Sequence, residues 1–128
     1  MKYLLDTHTY YWLRTSPRKL PASVLDLVTD TSHEMLISIA TPWELAIKSG
    51  TGRLDATPLL IDFEARETAA GFAMAGITTS QAIRSGLFAR HHKDPFDRLL
   101  AAQALDLRIP LISCDSTFDA YGVRRVWN

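Results

Sequence analysis

Four carboxylates, Asp6, Glu44, Asp97 and Asp115, are the residues of this chain whose types and positions could do chemistry. Asp6 follows Tyr3-Leu4-Leu5 and Asp115 follows Leu111-Ile112-Ser113-Cys114, so each aspartate closes a short apolar run that reads as a strand. Glu44 and Asp97 stand at the expected starts of helices, where unpaired backbone N–H groups and the helix dipole favour an ionised acid. Asp97 continues the helical spacing of Leu100, Ala101 and Ala104, so it should share their inward face. Carboxylates gathered in such a place repel one another and resist desolvation unless a cation compensates them. Oxygen ligands without paired histidines or cysteines select a hard divalent ion, Mg²⁺ or Mn²⁺, which keeps waters and often carries phosphate substrates. The chemistry suggested is metal-assisted work on phosphate.

Each acid also has a structural role open to it. Thr41-Pro42-Trp43-Glu44 has the pattern of a capping box, with threonine at the N-cap and glutamate at N3, and Glu44 can pair with Lys48 one turn on. Asp94-Pro95-Phe96-Asp97 repeats the arrangement; Asp94 reads as the cap, and Asp97 can serve the dipole. Asp6 and Asp115 can each cap the helix after its strand. These roles leave unexplained why all four acids should fall at one edge of a sheet.

That edge follows from the order of elements. Apolar runs at Lys2 to Leu5, Glu34 to Ile39, Gly76 to Thr78, Pro110 to Ser113 and Val123 to Trp127 read as strands. Helical periodicity or start signals mark His8 to Arg14, Ala22 to Asp30, the segment after Thr41, Leu59 to Ala70, Thr79 to Ala89, the segment after Asp94, and Ser116 to Tyr121, with a loop at Gly50 to Arg53. The alternation predicts an α/β chain, a parallel sheet of four to five strands covered by helices on both faces. In open parallel sheets ligands bind beyond the carboxyl ends of the strands, where strand order reverses, and Asp6 and Asp115 sit at such ends.

Composition sets the bounds. A length of 128 residues suits a single domain, and 47% hydrophobic with 22% charged residues is ordinary globular usage. Fourteen basic and fourteen acidic residues cancel, so net charge carries no nucleic-acid signature. The lone Cys114 can form neither an internal disulfide nor a zinc site, which fits a reducing compartment. Asp6 interrupts the N-terminal apolar run too early for a signal peptide, and no run approaches the roughly 20 residues that span a bilayer. The expected location is the cytoplasm.

The residues also carry a resemblance. Tyr3-Leu4-Leu5-Asp6-Thr7-His8, Ile37-Ser38-Ile39 leading into Trp43-Glu44-Leu45-Ala46-Ile47-Lys48, His92-Lys93-Asp94-Pro95-Phe96-Asp97-Arg98-Leu99-Leu100-Ala101-Ala102-Gln103-Ala104, and Leu111-Ile112-Ser113-Cys114-Asp115 resemble, in order and spacing, PIN-domain proteins of the VapC toxin type. The resemblance covers almost the whole chain. It implies one three-layer α/β/α PIN domain over residues 1–128, Mg²⁺- or Mn²⁺-dependent endoribonuclease activity, homodimerisation, and inhibition by a cognate antitoxin. The family's acids fall on Asp6, Glu44, Asp97 and Asp115. On this reading Asp6, Asp97 and Asp115 hold one or two ions, with Glu44 binding directly or through water, and Thr7 or Ser113 supports an acid or a water. RNA phosphodiester bonds would be hydrolysed by metal-activated water, leaving 5′-phosphate and 3′-hydroxyl ends. Ser113 and Cys114 depart from the family pattern, which often has threonine and a polar or basic residue there.

For holding RNA, the segment Arg84, Arg90, His91, His92, Lys93 and Arg98 offers phosphate contacts, or else forms a solvated loop. His91 and His92 stay outside the metal set, because adjacent histidines in a basic loop are usually solvated or phosphate-facing. Trp12 and Trp43 could stack on bases, but core packing is the expected role. Apolar surface near Tyr10, Tyr11 or Leu25 could serve a dimer interface. Two rival readings remain, a PIN-like binding module without catalysis and a receiver-like phosphoacceptor domain. Retention of all four acids argues against the first, and the helix-start acids Glu44 and Asp97 argue against the second.

Overall fold

The computed structural model describes residues 1–128. Its five strands are β1 (Lys2–Leu5), β2 (Glu34–Ser38), β3 (Ala73–Ala75), β4 (Leu111–Ile112) and β5 (Arg125–Val126). They form one sheet in the order β3-β2-β1-β4-β5, every pair parallel. Strand order reverses between β1 and β4: the chain builds outward from β1 through β2 to β3, then returns to lay β4 on the other side of β1. A crevice opens at such a reversal because the connections on its two sides leave in opposite directions.

Seven α-helices connect the strands: α1 (Thr7–Thr15), α2 (Ala22–Thr29), α3 (Ala40–Gly50), α4 (Thr57–Leu60), α5 (Phe63–Ala69), α6 (Thr79–Leu87) and α7 (Pro95–Leu107). Two 3₁₀ segments, Pro17–Lys19 and Ser116–Tyr121, complete the connections. The sheet has a core on each face, which makes the fold a three-layer α/β/α sandwich. Alternation along β1 sends Tyr3 and Leu5 to one face with Met35, Ile37 and Ile112, under Tyr10, Val24, Leu45 and Phe63 of the helices. Leu4 faces the other way with Leu111, against Leu100, Ala101 and Ala104 of α7 and Phe118. Both strand faces are therefore apolar, as a doubly covered parallel sheet requires.

Several expected boundaries move, each for a local reason. The strand expected at Gly76 to Thr78 lies at Ala73–Ala75, where small residues pair with Leu36, Ile37 and Ser38. Thr78 instead caps α6, accepting from the Gln81 amide at 3.1 Å while Gln81 Oε1 accepts from the Thr78 amide at 3.1 Å. The helix expected from Leu59 to Ala70 breaks into α4 and α5 around Ile61 and Asp62, with Asp62 in the left-handed region at φ +50°. Ser116 to Tyr121 winds as a 3₁₀ segment and ends on Gly122, whose φ of +79° suits a residue without a Cβ.

The largest correction concerns α3. It starts at Ala40, with no side-chain cap from Thr41 and no acid in its first turn, so the expected capping box is absent. The Ser38 hydroxyl takes over that duty, accepting from the Ala40 amide at 3.0 Å, and Thr41 turns to the Thr7 hydroxyl 3.1 Å away. Glu44 consequently sits beyond the first turn. The surface expectations change as well. Tyr10 is wholly buried and offers no surface, while Tyr11 and Leu25 are half-buried against the core. Trp12 packs on Trp127 with ring centroids 6.2 Å apart, but Trp43 is 52% exposed and meets Phe96 edge-on at 4.8 Å, contrary to the expected core role. No helix is long and apolar enough to cross a membrane.

Candidate functional site

Four local structures bring acids to the carboxyl edge of the sheet. Asp6 is the residue between β1 and α1; its backbone carbonyl accepts from the Tyr10 amide at 3.0 Å, but its side chain caps nothing. That side chain is 2% exposed. Its Oδ2 accepts from the Ser113 hydroxyl at 2.7 Å, and Oδ1 has no hydrogen-bond partner. Burial pushes the Asp6 carboxyl above the usual carboxylate range against the opposing pull of Ser113 and His8, and the charge of Glu44 adds to the rise. Ser113 is itself fixed from both sides: its amide bonds to the Val126 carbonyl at 3.1 Å and its hydroxyl accepts from the Asp115 amide at 3.0 Å. Thr9 on α1 reaches the Ile112 carbonyl at 2.8 Å, locking α1 to the end of β4.

Asp97 enters from α7. Asp94 caps that helix, accepting from the Phe96 amide at 2.8 Å, as the Asp-Pro pair suggested, which leaves Asp97 in the first turn with Leu100, Ala101 and Ala104 buried on its face. Burial, followed by the charges of Asp6, Asp94, Glu44 and Asp115, pushes the Asp97 carboxyl up to about 8. Asp97 thus lies within electrostatic reach of each of the other three expected acids. Glu44, 1% exposed, reaches the same edge from α3. One of its oxygens pairs with Lys48, as the spacing suggested, while Oε1 is buried without a partner.

Asp115 has a capping role as well: its Oδ1 accepts from the Thr117 amide at 2.9 Å at the start of the 3₁₀ segment. Its Oδ2 lies 2.6 Å from His92 Nε2, which is also 3.3 Å from Asp97 Oδ2. Desolvation opposes ionisation of Asp115, but the Thr117 amide and the His92 ring outweigh it and hold the carboxyl below its ordinary value. His92 is thus no solvated loop residue, contrary to expectation. Sequence could not find it, because its carboxylate partners come from a helix start and from a distant strand end. His91 stays exposed, its ring edge-on to Tyr121.

The basic segment does not form one face. Arg98 turns back to the carbonyls of His92 and Lys93 at 2.9 and 3.3 Å, clasping its own loop, and Arg84 lies over the Phe88 ring on α6. Lys93 instead joins Lys48 and Arg53 around an open groove of about 440 Å³ that also touches Asp94 and Phe96, beside the acids. Arg53 had no sequence signal, since only the fold carries it next to Lys93.

As the side chains stand, no three acids, histidines or cysteines are arranged as ligands of one ion. Two of the four acids are diverted, Glu44 to Lys48 and Asp115 to His92. The donor set nevertheless fits a hard divalent cation. It is all oxygen, its members repel one another, and two fully buried carboxylate oxygens lack any partner.

A family model described as the PIN domain matches residues 3–123. No protein with a curated description matches the chain in sequence. Among solved structures, the chain is similar to DNA-bound VapBC from Salmonella typhimurium (21% identity, TM-score 0.70, covering 98% of this chain and 97% of that one). It is also similar to VapBC-1 from nontypeable Haemophilus influenzae (18%, 0.69, 98% and 97%) and to VapBC2 from Rickettsia felis bound to a promoter DNA fragment (13%, 0.68, 100% of both chains).

Proposed function

The chain belongs to the PIN-domain family, and from that premise we propose that residues 1–128 form one PIN domain that acts as an Mg²⁺- or Mn²⁺-dependent endoribonuclease, the VapC-type toxin of a toxin–antitoxin pair. The observation that carries this reading is the buried, mutually repelling acid set at the β1/β4 reversal, with free oxygens on Asp6 and Glu44. We assign Asp6, Asp97, Asp115 and Glu44 as the ligands of the ion and the catalytic acids. A divalent ion bound there supplies a water of lowered pKa and positive charge for the phosphate oxygens.

The chain's own groups do the rest. Ser113 orients Asp6 through Oδ2, so that Oδ1 faces away from that bond and is free to ligate. Asp97 loses the proton that burial and its neighbours impose whenever positive charge enters, since opposite charge lowers a carboxyl pKa. Lys48, Arg53 and Lys93 line the adjoining groove and draw in the RNA backbone as point charges, without reading its sequence. The solved neighbours are VapBC assemblies, which supports an antitoxin partner for this chain too. Homodimerisation and a cytoplasmic location complete the reading.

The test is cleavage of single-stranded RNA by the purified protein. Cutting should require Mg²⁺ or Mn²⁺, and Asp6→Asn should reduce it by about 10²–10³-fold or more while circular dichroism and melting report an intact fold. Full activity in folded Asp6→Asn and Asp97→Asn would sink the mechanism. A wild type that binds the ion and leaves RNA uncut would favour a PIN-like binding module.

A further inference from the structure

His92 is held more firmly than a loop residue ahead of a helix needs to be. Its amide donates to the Tyr121 hydroxyl at 2.9 Å and its carbonyl accepts from the Arg98 guanidinium at 2.9 Å. The ring rests against Phe118, centroids 5.4 Å apart. These three contacts place Nε2 2.6 Å from Asp115 Oδ2 and 3.3 Å from Asp97 Oδ2. Facing the ionised Asp115, Nε2 must carry the hydrogen and donate it. With Oδ1 already on the Thr117 amide, Asp115 then has both oxygens engaged.

Resting on the metal-site reading above, we propose that His92 is a built-in competitor of the divalent ion, a ring fixed beside Asp97 where it occupies Asp115 until the ion displaces it. An ion that takes Asp115 Oδ2 must break the bond from His92, and a hydrogen bond to a charged group is worth about tenfold or more in affinity. Lys48 plays a looser version of this part at Glu44, from a flexible side chain.

The experiment is a calorimetric titration of the purified chain with Mn²⁺ alone, paired with thermal unfolding with and without Mn²⁺. His92→Leu keeps an apolar contact with Phe118 and removes the donor. It should bind Mn²⁺ about tenfold more tightly than the wild type and melt at a lower temperature when no ion is present. His92→Asn, whose shorter amide falls short of Oδ2, should show the same tightening and stands in if His92→Leu does not fold. His92→Gln restores an N–H at similar reach and should return the affinity towards that of the wild type. Unchanged or weaker binding in His92→Leu and His92→Asn, with binding lost in Asp97→Asn, overturns the competitor role and leaves the metal site standing. A wild type that binds no Mn²⁺ overturns both.

Discussion

Asp6 and Glu67 are both buried carboxylates, the first at the carboxyl edge of the sheet and the second on α5 as the chain approaches β3. Glu67 accepts from the Tyr10 hydroxyl and from the Arg14 guanidinium, with Arg66 3.6 Å away. Burial pushes its carboxyl up, yet these partners prevail and hold it below its ordinary value. Asp6 has a single side-chain bond, from Ser113, and burial wins. The chain can therefore satisfy a buried acid completely when that acid's work is to tie α1 to α5. At the β1/β4 edge it leaves Asp6 and Glu44 each with a buried oxygen that has no partner.

The largest effect expected on stability comes from the satisfied side. Glu67→Ala leaves Tyr10 without its acceptor and Arg14 without its counter-charge, and should cost about 3 kcal/mol in urea unfolding. A loss under about 1 kcal/mol would break the comparison. On the under-satisfied side the sign reverses. Asp97→Asn removes a carboxyl that folding drives from its ordinary 3.8 up to about 8, and should stabilise the metal-free protein at neutral pH by about 1–2 kcal/mol. The pH dependence sharpens the contrast. Because Asp97 holds its proton more tightly when folded, its contribution is full below its ordinary value and is lost as pH rises through about 8. Glu67, depressed in the fold, contributes above its ordinary 4.5 and loses that contribution as pH falls through its lower folded value. Urea unfolding without metal from pH 5 to 9, about the range these values bracket, should show stability declining in the wild type and flatter in Asp97→Asn.

Smaller effects come from single contacts. Ser113→Ala deprives Asp6 of its bond and should cost about 1 kcal/mol, with Mn²⁺ affinity falling about tenfold in the same protein. Trp43→Ala should change stability by about 0.5 kcal/mol or less, since the ring is mostly in solvent and touches Phe96 only by its edge.

Where sequence and structure agree, the decisive interactions are local. Asp94-Pro95 caps α7 through the Phe96 amide two residues on, and the stripe from Asp97 to Ala104 faces the core as its spacing required. The apolar runs of β1, β2 and β4 gave the sheet, and their ends gave Asp6 and Asp115. Where they differ, a partner from far along the chain has intervened. Thr41 is claimed by Thr7, so the capping box never forms, and Ser38, which caps α3 instead, is itself held by Gln103 of α7. Ala73–Ala75 has no β-branched residue and becomes a strand only because β2 offers it an edge. His92 belongs to the same class, a side chain whose partner Asp115 is 23 residues away.

The bond from Ser113 to Asp6 spans 107 residues, nearly the whole chain. β1 pairs on one side with β2, the next strand to be made, but β4, which closes its other side, follows only after β2 and β3. Contacts of such separation form late in folding, because the intervening loop must be ordered before they repay its closure. A chain interrupted before β4 therefore carries Asp6, Glu44 and Asp97 without the wall that encloses them. Synthesis itself sets the order of events: the acidic edge is assembled only after β4 has been made.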